Sequence, residues 1–147
     1  MPNPSPRELK KTLIREGFEV YRTIEDRVVL AERVRDNLIM DSGVAACSGE
    51  PLAVRVVLRA QGNDFPGESP AQLVGRARAL GDVLTNRGYA EVQTQTVPIL
   101  DPGDRTKTLD TWYEVSLERV VQGTGELVDE LKFALALDKT VPGPVSQ

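Results

Sequence analysis

Histidine is missing from the whole chain, and cysteine occurs once, at Cys47. Without imidazole the sequence lacks the one side chain that titrates unaided near neutral pH. The usual transition-metal donor sets and every nucleophile–histidine pair go with it. A lone cysteine also excludes a disulfide within the chain, and between Ala46 and Ser48 it reads as a small core filler rather than a reactive thiol. Long apolar runs are absent: none approaches the ~20 residues of a membrane-spanning helix. Phosphate-loop and dinucleotide patterns are absent too. Gly123-Thr124-Gly125 precedes a helical segment, but Glu126, Asp129 and Glu130 follow it and make a poor anion cradle. These absences assign no catalytic residue, no cofactor and no metal site, and no enzyme activity is expected.

What remains is ordinary for a folded domain. Of the 147 residues 40% are hydrophobic and 27% charged, far from the composition of disorder. The net charge of −4 is uneven, with eight Lys/Arg against six Asp/Glu in residues 1–35 and five against nine in residues 101–147. An acidic C-terminal third repels phosphate backbones. Arg7, Lys10, Lys11 and Arg15 make a basic stripe, but no interleaved aromatic supports base stacking, so it reads as a solvated helix face and no nucleic-acid partner is expected. The opening Met1–Pro6 lacks the charged-then-apolar plan of a signal peptide, so a cytoplasmic location without membrane insertion is expected.

Helix punctuation is clear. Ser5-Pro6-Arg7-Glu8 combines a capping box with proline at the first helical position, and Gly17 supplies a stop, giving a helix over 6–16. Ser69-Pro70-Ala71-Gln72 repeats the start signal for a helix over 70–87, closed by Gly88. A third helix begins near Thr124 and ends before Pro142. Alternation marks Leu52–Arg59 as a strand with Leu52, Val54, Val56 and Leu58 inward and Arg55 and Arg59 outward. Residues 91–100 and 111–121 flank Asp101-Pro102-Gly103-Asp104 and read as an antiparallel hairpin, with Pro98 placing its first strand at an edge or a bulge.

Residues 18–47 admit two readings. Phe18–Thr23 alternates as a strand, after which Thr23-Ile24-Glu25-Asp26 caps a helix with a face of Leu30, Ala31, Val34 and Leu38 and a stop at Gly43. In the rival reading Ile24-Glu25-Asp26 is a hairpin turn and Val28-Val29-Leu30 opens a second strand. The capping pattern favours the helix. Either way the expectation is one α+β domain over 1–147. It has two layers, a mixed or antiparallel sheet of about four or five strands, and three or four helices, with flexible tails at 1–4 and 143–147.

Three places could carry function. The loop Asn63–Glu68 puts Asp64, Phe65 and Glu68 between a strand and a helix, where open α/β sheets often bind ligands; the same carboxylates equally suit a turn and a helix dipole. Trp112, the only tryptophan, faces outward if Tyr113, Val115 and Leu117 face inward, and is then a contact hot spot; otherwise it packs under a helix. Ile39 and Met40 fall off the apolar arc of the proposed helix and expose an oily edge.

In the two-strand reading of residues 18–35, the order helix, three strands, helix, two strands, helix resembles that of the small acidic chaperones of type III secretion. The resemblance lies in element order alone and implies a protein-binding role. The leading expectation is a non-enzymatic, homo-oligomeric protein whose partners are itself and another protein, as an assembly subunit or adaptor-chaperone. The alternatives are a carboxylate-dependent enzyme or metal-binding domain using Asp64, Glu68 and Asp110, and a small-molecule-sensing domain.

Overall fold

The structure, a computed structural model, describes residues 4–143. Most of the expected tails, residues 1–3 and 144–147, lie outside the described residues. The first helix, α1 (Pro6–Arg15), starts as its sequence dictates: Ser5 Oγ accepts the Glu8 N–H at 3.2 Å, and Glu8 Oε1 accepts the Ser5 N–H at 3.3 Å. Its four-residue apolar spacing then buries Leu9 and Leu13 completely. Strands β1 (Val20–Ile24), β2 (Arg27–Arg35), β3 (Leu38–Cys47) and β4 (Ala53–Gln61) follow. Helices α2 (Pro70–Leu80) and α3 (Asp82–Thr85), strands β5 (Ala90–Asp101) and β6 (Asp104–Val120), and helix α4 (Thr124–Leu135) complete the chain. The strands form one antiparallel sheet in the order β1-β2-β3-β4-β6-β5, so the fold is α+β.

The helix proposed after Thr23 is replaced by strands. Glu25 takes a left-handed φ of 54° at the turn between β1 and β2, which makes Ile24-Glu25-Asp26 a hairpin turn as the rival reading had it. Burial decides the period: Val28 and Leu30 are fully buried, whereas Val34 and Leu38, members of the proposed helical face, are 49% and 44% exposed. That is alternation of two followed by projection from the core, and no helix presents it.

A sixth strand, β3, corrects the expected four or five. It is hidden in the sequence because Gly43 reads as a helix stop. Val29 faces Ala45 while Ala31 faces Asp41, so residues 42–44 lie opposite Leu30 alone. This bulge needs the φ of 81° that Gly43 supplies, and Asp41 Oδ1 accepts the Gly43 N–H at 2.7 Å. The helix expected over 70–87 is also broken. At Gly81, α2 passes so close to β4 that a Cβ would lie 2.8 Å from Leu58 Cδ1, and the chain restarts as α3.

The described residues group into two compact units. Residues 4–56 and 118–137 form the first, in which α1 packs on β1 and β2 and α4 packs on β3. Its core holds Leu9, Leu13, Val28, Leu30, Val44, Val54, Leu127 and Leu131. Residues 57–117 and 138–143 form the second, with Leu58, Leu73, Ala77, Leu84, Val115 and Leu117 buried. There residues 139–141 run beside β4, with Lys139 O accepting the Arg59 N–H and Arg59 O the Val141 N–H, both at 2.8 Å.

Truncation should separate strand from helix. Leu30→Ala is expected to cost about 2–5 kcal/mol in urea denaturation, and Val34→Ala less than about 0.5 kcal/mol. Equal losses would mean that both side chains share one buried helical face.

Candidate interaction surfaces

The loop after β4 brings part of the expected ligand constellation together. A short 3-10 turn (Gly62–Asp64) leads to Phe65, which is buried. Arg76 of α2 stacks over the Phe65 ring, 4.2 Å from its centroid, and grips both oxygens of Glu68 at 2.7 and 2.6 Å. This guanidinium holds the Glu68 carboxyl below its usual range and occupies its acceptors, which leaves it a poor base. Asp64 points elsewhere: its side chain lies beside Gly143. A cavity of about 300 Å³ is lined by Glu68, Phe65, Asn63, Tyr113 and residues 108–111, but not by Asp64. Among the described residues no three Asp, Glu or Cys side chains converge as a metal site requires.

Asp110 has a role its sequence position did not reveal. Its carboxylate accepts the Asn63 N–H at 2.9 Å, the Thr111 N–H at 2.7 Å and the Trp112 Nε1–H at 3.0 Å. Asn63 Nδ2 donates in turn to Leu109 O at 2.8 Å. Asp110 thus clamps the loop after β4 to β6 and orients Trp112. The indole is half-buried on the sheet face opposite Val115 and Leu117, with the Arg59 guanidinium 4.0 Å from its ring centroid. Arg59 is anchored by Glu114, whose Oε2 accepts from Nε at 3.0 Å and Nη2 at 2.8 Å. The tryptophan therefore sits outward, covered on one side by a cation of its own chain.

In the first unit a groove of about 450 Å³ is lined by Asp26, Arg27, Cys47, residues 48–51, Ala53, Arg55 and Glu118. Arg55 reaches Glu118 Oε2 at 2.6 Å. Cys47 is buried; burial first, then the nearby Glu118 and Asp26 carboxylates, push its thiol up to about 12. Both effects disfavour the thiolate that nucleophilic chemistry needs.

Ile39 and Met40 lie at the far end of the β2–β3 hairpin, 37% and 50% exposed. Register pairs Ile39 with Arg33 and Met40 with Glu32, so the two point to opposite faces instead of forming one edge. Every residue from 32 to 41 is exposed. Arg33 is tied to Glu19 at 3.0 and 2.8 Å, which fixes the base of this arm.

No protein-family model matches the chain, and comparison with curated proteins and with solved structures gives no significant match. Its four consecutive strands exceed by one the strand run of the secretion-chaperone order. No helix among the described residues is long and apolar enough to cross a membrane.

Measurements on two residues, Asp110 and Cys47, check this chemistry. Asp110→Ala should cost about 1.5–3 kcal/mol, since three donors lose a charged acceptor, and should red-shift the Trp112 emission. With the Cys47 pKa raised from 9.0 to about 12, alkylation at pH 8 should be roughly a thousandfold slower in the folded protein than in denaturant. The folded state holds the Cys47 proton more tightly, so its stabilising contribution is complete below pH 9 and is lost as pH rises towards 12. Cys47→Ala should remove that alkaline loss.

Proposed function

We propose that the chain is a non-enzymatic, cytoplasmic protein-binding subunit. It associates with itself and engages another protein, as an assembly subunit or adaptor-chaperone. One observation carries this reading: the distal β2–β3 hairpin leaves the core with both faces in water while carrying Val34, Leu38, Ile39 and Met40 at 37–50% exposure. A two-stranded ribbon with no layer against it is marginal in water, and its apolar side chains gain most when a partner covers them. Ile39 and Met40 on opposite faces call for a partner that grips the arm from both sides. The chemistry elsewhere agrees: Glu68 and Asp110 are engaged by the chain's own donors, and Cys47 is buried.

In an extract of its own cells the chain should elute larger than the purified protein. The double variant Ile39→Asp with Met40→Glu should return it to the size of the purified protein, with a melting temperature unchanged within about 2 °C because both sites are exposed. A wild-type chain that elutes at its purified size in such an extract would refute partner binding through the arm.

A further inference from the structure

The basic stripe of α1 is exposed along its whole length: Arg7, Lys10, Lys11 and Arg15 all stand in water. Helical positions three, four and seven apart share a face, so Ile14 stands among Lys11, Lys10 and Arg7, on the side away from the buried Leu9 and Leu13. Ile14 is 52% exposed, more than any other large apolar residue among those described. The only acid within α1, Glu8, turns back to cap the helix by accepting the Ser5 N–H. Among the described residues none of the four cations holds an ion pair, whereas the exposed Arg33, Arg76 and Arg78 are matched by Glu19, Glu68 and Glu91. Of 18 Lys/Arg and 22 Asp/Glu, α1 takes four and one, which leaves 14 against 21 elsewhere. An uncompensated basic face with an aliphatic side chain at its centre thus sits on an otherwise acidic chain.

We propose that this face of α1 docks a short acidic segment of another protein, with carboxylates set against Arg7, Lys10, Lys11 and Arg15 and an aliphatic side chain over Ile14. Charge complementarity names the occupant: opposite potentials steer encounter and fix register, and an apolar centre within a polar rim is where contact affinity concentrates. The remaining charge of the chain sets its length. From Arg7 to Arg15 the helix rises about 12 Å. An extended phosphate backbone runs past that span, and the rest of this chain, with 14 cations against 21 carboxylates, opposes it. A membrane surface calls for a broad apolar face, and here Ile14 stands alone among cations. A peptide can end its charge where the patch ends. This surface is distinct from the β2–β3 arm and goes beyond it, because the arm requires no acidic partner.

The probe is a fluorescent helical peptide with Glu at every third or fourth position beside a stripe of Leu, compared with its counterpart carrying Gln for Glu. Anisotropy with the purified chain should show the Glu peptide binding about tenfold or more tightly than the Gln peptide, and more weakly as salt rises towards about 0.15 M. Lys10→Glu with Lys11→Glu should weaken the Glu peptide about tenfold or more and flatten its salt dependence. The melting temperature should not change, because both side chains are exposed. Ile14→Ser should weaken binding about fivefold and leave the salt dependence as it was, which a purely electrostatic patch does not predict. Ile39→Asp with Met40→Glu should bind the peptide as the wild type does, which separates this site from the arm. Overturning results are a Glu peptide that binds no better than the Gln peptide, or binding left unchanged by Lys10→Glu with Lys11→Glu or by Ile14→Ser. Loss of binding in the Ile39→Asp, Met40→Glu variant equally overturns the assignment to α1. So does a single-stranded oligonucleotide of equal charge, or a phosphatidylserine vesicle, that binds more tightly than the Glu peptide.

Discussion

The pairing of β4 with β6 is the constraint on which the remaining arrangement depends. Arg55 bonds Glu118 and Arg59 bonds Glu114, and Leu52 O accepts the Val121 N–H, so partners across the pair keep a constant register along both strands. Each rung is partly exposed, and such pairs contribute modestly to stability. Their larger effect is on register, because a slip of one residue would turn Val54, Val56 and Leu58 out of the core and bring Arg55 and Arg59 in. Asp110 extends the same alignment beyond the end of β4 by holding Asn63.

Arginine does most of the polar work, and it does it in pairs. Arg59 serves Glu114 and the Trp112 ring, Arg76 serves Glu68 and the Phe65 ring, Arg78 serves Glu91, and Arg119 reaches Glu126 and Glu130 at 3.2 and 3.1 Å. A planar guanidinium can bond a carboxylate edge-on while lying flat on an aromatic face, which lysine cannot. The result is a surface whose carboxylates beside aromatics are already compensated. Apolar side chains left in water include Val34, Leu38, Ile39 and Met40 on the β2–β3 arm.

Helix starts were legible in the sequence because a capping box is local chemistry: Ser5 with Glu8 and Ser69 with Gln72 need only residues three apart. The inward set of β4, the β5–β6 turn and the edge position of Pro98 were legible for the same reason. The helix-or-hairpin choice at residues 24–42 was not. Leu30, Ala31, Val34 and Leu38 satisfy a helical period, and only the layer formed by α1 and α4 shows that Leu30 is covered while Val34 and Leu38 are not. The close approach that Gly81 permits likewise involves Leu58, more than twenty positions away.

By itself the sequence determined the absence of histidine chemistry, the helix caps, the alternation of β4 and the matched four-residue spacing of Arg55 with Arg59 and of Glu114 with Glu118. Tertiary structure alone decided that these pairs meet, since 63 and 55 residues separate the partners. It also decided that Glu68 is spent on Arg76 instead of standing free beside Asp64, that Trp112 lies beneath Arg59, and that Ile39 and Met40 point apart. Capping and alternation depend on neighbours within a turn or a pleat. The facing of a side chain depends on which distant strand supplies the next register, and that is written in no local pattern.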